Sequence, residues 1–286
     1  MSNATSPDMP LFRLGGGSEK SHWYSRDAQC AYEVLRAKPA KDGSLYKPTT
    51  LREAKLHGLY YSVSDVLSVA AKPQIETWKA SNLGDAYLGS LAGPLVWTGA
   101  LDAKAAKAIT AELADGIGAR ARDVGTMGHA NIEAALRGDS PPFPRYWDNV
   151  AAVVRWMQGW HQVDWRVEAA AVHPLGYGCR VDAYHAMDGG VVVDFKGKDD
   201  WDDKKPPTPY DDNIIQLAAN RMALGLPQAE CANVFFAREA TGKCHVHWIP
   251  EERLQWGWEM FKALLVVKKL QTGYDPVKYW QAADAA

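Results

Sequence analysis

Gly190-Val-Val-Val-Asp194-Phe-Lys196-Gly197 has the pattern of a short buried strand that carries two charged residues near its end. Successive side chains of a strand point to opposite faces of the sheet. Asp194 and Lys196 should therefore share one face, and Val193 and Phe195 the other. The stretch predicts a core strand on which a carboxylate and an ammonium group lie side by side.

A second carboxylate lies on an earlier segment with the same alternation, Gly178-Cys-Arg-Val-Asp182-Ala-Tyr. The pattern puts Asp182 on one face of this strand and Cys179, Val181 and Ala183 on the other. It predicts a second core strand with an acidic group on its polar face.

The run Met187-Asp-Gly-Gly190 between the two segments is typical of a hairpin turn. Closing this hairpin would bring Asp182 next to Asp194 and Lys196. Two carboxylates and a lysine on neighbouring strands predict a divalent-metal site with a charge-stabilising partner. The alternative is an exposed Asp–Lys pair on a sheet edge, which would contribute little energy.

Length and composition fit a globular protein with a sizeable core. The chain has 286 residues, of which 47% are hydrophobic and 23% charged. No run approaches the roughly 18 apolar residues of a membrane span, and the N-terminus lacks the basic and apolar regions of a signal peptide. We expect no membrane partner and a cytoplasmic protein, in a bacterium or a phage-infected host cell.

Charge and cysteine content exclude few functions. The net charge of −2 gives no global sign of nucleic-acid binding, but a DNA groove needs only local basic patches. The four cysteines, Cys30, Cys179, Cys231 and Cys244, form no C-x-x-C pair. They are expected to be free thiols rather than zinc or iron–sulfur ligands.

Periodicity along the chain predicts an α/β fold with one central mixed sheet flanked by helices. Helices are expected at 26–38, 65–71, 74–79, 102–121, 126–138, 149–162, 210–224 and 251–270. Strands are expected at 60–64, 165–173, 232–238 and 244–249, besides the two acidic strands. With no convincing linker we expect one domain: an arm and helical extension (1–59), a core (60–250) and a C-terminal helix (251–286).

Five motifs in this order resemble the PD-(D/E)XK nuclease superfamily, in particular its RecB-like branch, which includes phage-type recombination exonucleases. They are Gly125-Thr-x-x-His129-x-x-x-Glu133, Glu168, Gly178-x-x-x-Asp182, Val193-Asp194-Phe-Lys196 and Gln216-Leu217. The match covers roughly residues 60–250. Two positions depart from the family pattern: Gly197 stands where Thr or Ser is usual, and Asn220 where Tyr is frequent.

The resemblance implies a metal-dependent DNA exonuclease of recombination or repair. Mg²⁺ or Mn²⁺ would be held by Asp182, Asp194 and the carbonyl of Phe195, with His129 as a further ligand. Lys196 would orient water or stabilise an oxyanion. A comparable glutamate in the family supports the metal water or the lysine, which gives Glu168 its role here, and Gln216 would steady Lys196 or a phosphate. The alternatives are a helix-face histidine for His129 and a plain polar stripe for Gln216.

DNA contacts are expected around this site. Candidates for phosphate contacts are Arg120, Arg122, Lys198, Lys204, Lys205 and Arg221, and Trp201 is a candidate for base stacking. Aspartates in the loop 197–209 argue against a simple basic clamp. The resemblance alone suggests a single-strand annealing protein as partner, and a homo-oligomer stays open. The rival functions are an endonuclease with the same site and an inactive DNA-binding or assembly protein.

Overall fold

A seven-stranded mixed sheet forms the centre of the computed structural model, which describes residues 9–14, 22–70, 77, 79–84, 103–160, 163–239 and 241–285. The strands are β1 Phe12–Arg13, β2 Trp23–Tyr24, β3 Glu33–Leu35, β4 Tyr46–Pro48, β5 Tyr60–Ser62, β6 Arg166–His173, β7 Tyr177–His185, β8 Val191–Lys198, β9 Glu230–Ala237 and β10 Cys244–Trp248. The helices are α1 Leu51–His57, α2 Val63–Leu67, α3 Ala103–Arg137, α4 Trp147–Gln158, α5 Asp211–Ala223, α6 Glu251–Thr272 and α7 Pro276–Asp284.

Helices cover both faces of this sheet. Val192 packs with residues of α5 and α6, whereas Val191, Val193 and Phe195 pack with residues of α3 and α4. The alternation predicted for β8 is therefore confirmed, as is the α/β class with a mixed sheet flanked by helices. Among the described residues no helix is long and apolar enough to span a membrane.

The sheet forks at β7. Its strands follow the order β10-β9-β8-β7-β5-β2, and β6 pairs with β7 outside that path. β6 pairs antiparallel along nearly the whole of β7, so β5 and β8 share the other edge. β5 pairs with Tyr177 and Gly178, whereas β8 pairs with Ala183 to His185. The stretch 179–182 lies in the fork between these two partners.

The β6–β7 ladder is irregular at this fork. Val181 packs on the face of α5 and α6, but Ala183 packs on the face of α3 and α4. The prediction that Val181 and Ala183 lie on one face of the sheet is therefore wrong. The alternation of side chains between the two faces is broken at Asp182. Val167 and Ala169 on β6 pair with β7, but Glu168 between them does not pair with Asp182 opposite. Its φ of 53° is in the left-handed region. An irregularity of this kind re-aims side chains locally.

The N-terminal region contains strands where a helix was predicted. Residues 26–38 form turns followed by β3, which pairs with β1 and β4 in a separate three-stranded sheet. Ala28 has a φ of 64° that breaks any helix there. The helix predicted at 74–79 lies almost entirely outside the described residues.

The boundaries of three further predicted helices are wrong. The expected helices 102–121 and 126–138 are one continuous helix, α3, because isolated glycines cost only about 1 kcal/mol each in a helix interior. The C-terminal region has two helices, not one. α6 ends at Gly273, whose φ is 56°, and α7 begins with Asp275 as cap and Pro276 in its first turn.

Candidate active site

The fork brings Asp182 and Asp194 together. Asp182 lies on β7 just beyond its last pair with β8, and its Oδ2 accepts a hydrogen bond of 2.7 Å from the backbone N–H of Phe195. In an antiparallel strand the N–H and C=O of one residue point to the same side. The Phe195 carbonyl therefore also faces β7, towards Asp182.

Asp194 is a buried carboxylate with two direct partners. It is 2% exposed, and its Oδ2 lies 2.8 Å from Lys196 Nζ and accepts a 2.7 Å bond from Asn233 Nδ2 on β9. Burial raises the pKa of Asp194, an effect that Lys196 opposes. Burial also disfavours the charge of Lys196, but Asp194 and Asp182 outweigh it and raise the pKa of the lysine. Lys196 is therefore an ammonium ion at neutral pH.

Helix α5 holds the other side of Lys196. Gln216 Oε1 accepts a 3.3 Å hydrogen bond from Lys196 Nζ. One turn later, Asn220 is buried, and its Oδ1 has no partner among the described residues. The stripe of polar residues on α5 is thus directed at the site rather than at the outer surface.

His129 reaches the same site from α3. Its Nδ1 lies 3.6 Å from Asp182 Oδ2, and its ring contacts Phe195 and Phe236 edge-on. The helix can approach this closely because residue 128 is glycine: a Cβ there would lie 2.7 Å from the Phe236 ring. Glu133, one turn further, forms an i,i+4 ion pair with Arg137 at the cavity rim.

Glu168 lies opposite Asp182 and forms a 2.6 Å ion pair with Arg180 Nε. Burial raises the pKa of Glu168 to about 7, with Asp182 and Glu133 adding to the effect and Arg180 opposing it. The sequence singled out Glu168 but not its partner Arg180. Sequence reasoning also missed Asn233, which lies on a strand distant in sequence, and the aromatic residues His22, Tyr24 and Tyr32 near the site.

The residues predicted to contact DNA lie on several different parts of the structure. Arg221 is 3% exposed and makes two bonds of 2.7 and 3.0 Å to Glu251, so it joins α5 to α6 and its assignment to DNA is wrong. Lys198 Nζ lies 2.8 Å from the Tyr210 hydroxyl. Lys204 and Lys205 are exposed in the loop after β8, and Arg122 is exposed on α3. The side chain of Arg120 lies outside the described residues.

The loop after β8 is attached to the β9–β10 hairpin. Asp199 pairs with Arg238 at 2.5 Å, and Lys243 pairs with Asp200 at 2.9 Å. Lys243 also donates to the Trp201 carbonyl and lies 6.0 Å from its ring. The loop aspartates therefore neutralise neighbouring cations, and Trp201 is half-buried beneath Lys243.

Several of these groups line one cavity. It has a volume of about 490 Å³, within the ~300–1,000 Å³ usual for ligand sites. Asp182, Glu168, Gln216 and His129 line it. His22, Tyr24 and Tyr32, here called the aromatic wall, also line it, and Tyr24 belongs to β2, which pairs with β5 at the sheet edge.

Comparisons add little to this site. No family model and no curated protein matches the chain. A solved structure titled "Crystal structure of SSO0001" is similar over 42% of this chain and 59% of its own, at 13% identity and a TM-score of 0.26. The chain thus spans less than two thirds of that structure, and a likeness of this degree carries no weight for function.

The donor set fits a hard divalent cation. Among the described residues no three His, Cys, Asp or Glu side chains already form a metal-binding group. The fork nevertheless offers two carboxylates, Asp182 and Asp194, with the Phe195 carbonyl and the His129 nitrogen beside them. Carboxylate and carbonyl oxygens suit Mg²⁺, and an added nitrogen suits Mn²⁺. A cation would also offset the charge of the buried Asp194.

Proposed function

We propose that the chain is a metal-dependent DNA exonuclease with a PD-(D/E)XK core of the RecB-like type. The observation that carries the proposal is the fork at β7. There Asp182 and Asp194 adjoin, and Lys196 is fixed beside them by Asp194 and Gln216. Asp182, Asp194, the Phe195 carbonyl and His129 would hold Mg²⁺ or Mn²⁺. The ion would neutralise phosphoryl charge and lower the pKa of a bound water.

The protein groups around the fork supply the remaining chemistry. The ammonium group of Lys196 is placed to hold the attacking water or to stabilise the phosphoryl oxygen on which charge develops. Glu168, with a pKa of about 7, can accept or release a proton near neutral pH. Arg180, paired with Glu168 in the cavity wall, is a candidate phosphate contact.

The shape of the cavity favours an exonuclease over an endonuclease. Asp182 and Glu168 line one cavity together with residues of α3, of α5 and of the aromatic wall. A concave site with walls from all three elements suits a strand end better than the middle of a duplex.

The test is digestion of end-labelled linear DNA beside a closed circle of the same sequence, in Mg²⁺, Mn²⁺ or EDTA. We expect metal-dependent loss of the linear DNA while the circle stays intact, and the label will give the polarity. Cutting of the circle would replace the exonuclease by an endonuclease. No cleavage of either substrate, or of single strands, in both metals would favour the inactive DNA-binding protein.

A further inference from the structure

Asp194 is held from the β9 side by Asn233, a residue that does not line the cavity. β8 and β9 pair in parallel with Asp194 next to Asn233, so the two side chains share one face of the sheet. Asn233 is 0% exposed, and its Nδ2 donates a 2.7 Å hydrogen bond to Asp194 Oδ2. Asn233 therefore acts on the site through Asp194 and not from the side that a substrate would enter.

Packing gives no reason for an amide at this position. Asn233 is the one polar residue of the buried stretch 231–237 on β9. Its Oδ1 has no partner among the described residues, and a buried polar atom without a partner costs about 1–3 kcal/mol. An apolar side chain would avoid this cost, so what the amide contributes is its bond to Asp194.

This bond distinguishes between the two oxygens of Asp194. Lys196 Nζ contacts both of them, at 3.0 Å from Oδ1 and 2.8 Å from Oδ2, whereas Asn233 binds Oδ2 alone. The two oxygens of a carboxylate point in different directions, so holding Oδ2 towards β9 turns Oδ1 away from that strand. β7, which carries Asp182, lies on the other side of β8.

We propose that Asn233 is a positioning residue for the divalent cation: it keeps Asp194 turned so that Oδ1 is available to the ion beside Asp182. This inference rests on the proposed function, which supplies the ion. Groups that orient a metal ligand without touching the metal typically change metal affinity by about 10–100-fold when they are removed.

The experiment measures Mn²⁺ binding to the full chain without DNA by calorimetric titration, so that it does not depend on cleavage. The binding that Asp194→Asn removes belongs to the fork. For this binding, Asn233→Ala should raise the dissociation constant about 10–100-fold. Asn233→Val, which refills the space left by alanine in an apolar strand, should have the same effect.

Asn149→Ala is the matched control. Asn149 is also a buried asparagine, 3% exposed on α4, but its amide donates to the carbonyls of Ala237 and Arg238. Its removal should lower the melting temperature measured in EDTA and leave the Mn²⁺ affinity unchanged.

Three results would overturn the positioning role. Asn233 variants that bind Mn²⁺ as tightly as the unaltered protein would assign Asn233 to packing alone. An equal loss of affinity in Asn149→Ala would assign the effect to general destabilisation. An unaltered protein without Asp194-dependent Mn²⁺ binding would remove the ion that Asn233 is proposed to serve. Failure of the proposed function looks different: Mn²⁺ binding would depend on Asn233 as expected, but the unaltered protein would cleave no DNA.

Discussion

At the residue scale, Glu168 combines a carboxyl group of raised pKa with a backbone angle that residues with side chains rarely adopt. Its φ of 53° costs about 1–3 kcal/mol. The strained backbone and the buried carboxyl group of Glu168 thus belong to one residue, which lies opposite Asp182 in the wall of the cavity. Residues held in such conformations cluster at functional sites, which supports the role proposed for Glu168.

Glu168→Gln should make stability less dependent on pH. The folded protein holds the Glu168 proton up to about pH 7, whereas the unfolded chain releases it near the ordinary value of 4.5. The stability of the unaltered protein should therefore fall as pH rises between those values. The variant lacks this contribution, which amounts to about 3 kcal/mol. Urea unfolding at pH 4.5, 6 and 8 measures the difference, and two parallel curves would contradict the assignment.

Sequence reasoning succeeded for the residues whose partners are near in the chain. The approach of Asp182 to Asp194 follows from two neighbouring strands joined by a short turn, although β7 does not keep the alternation predicted for it at Asp182. The contact of Asn233 with Asp194 depends on strand order, which no local pattern encodes. The prediction that Arg221 contacts DNA was wrong for a different reason. A charged residue was assumed to face solvent, but Glu251 on another helix pairs with Arg221 in the core.

At the element scale, the approach of α3 to the sheet depends on one position. A Cβ at residue 128 would lie 2.7 Å from the Phe236 ring and 3.3 Å from Val150. His129 is the next residue, so the distance of the helix from β9 also sets the distance of its imidazole from Asp182. The motif quoted from the sequence included Gly125 but gave no reason for Gly128.

Gly128→Ala should push α3 away from β9 and lower both stability and activity. Overpacking of this kind typically costs about 1–3 kcal/mol. Gly116→Ala is the matched control, because its Cβ would meet nothing within 4 Å and the change favours the helix by about 1 kcal/mol. Thermal unfolding and nuclease assays of both variants test this. Equal behaviour would show that the close packing at Gly128 does not position His129.

At the scale of the whole molecule, the C-terminal segment closes onto the N-terminal part of the chain. Trp280 Nε1 donates to the Gly58 carbonyl at 2.8 Å, and the Tyr279 hydroxyl donates to the Leu56 carbonyl at 3.0 Å. The Tyr274 hydroxyl donates to the Leu59 carbonyl at 2.8 Å. These bonds fix α1 and the start of β5, the strand that pairs with β2 and so positions Tyr24.

Trp280→Ala should therefore destabilise the protein by about 2–4 kcal/mol, since it removes a partly buried aromatic ring and leaves a carbonyl unpaired. Lys278→Ala, on the exposed side of the same helix, is the control and should change little. Chemical unfolding measures both. If the two variants unfold alike, α7 does not hold the N-terminal region.

The central order of the fold could be predicted, but its two ends could not. Helix, three strands, helix and two strands follow from periodicities within single elements, and each appears in the structure. The addition of β2 to the sheet edge and the docking of α7 are contacts between distant parts of the chain. Gly273 and Asp275-Pro276 would have signalled the break before α7, but nothing in the sequence indicates where that helix packs.

The proposed nuclease centre at the β7–β8 carboxylates is tested most directly by cleavage of linear DNA in Mg²⁺ by Asp194→Asn. The change keeps the size of the side chain and removes its charge. Asp211→Asn, the same change at an exposed ion pair on α5, is the control. We predict a loss of rate of at least about a hundredfold for Asp194→Asn and near-normal cleavage for the control. Equal cleavage by both purified variants would contradict the account.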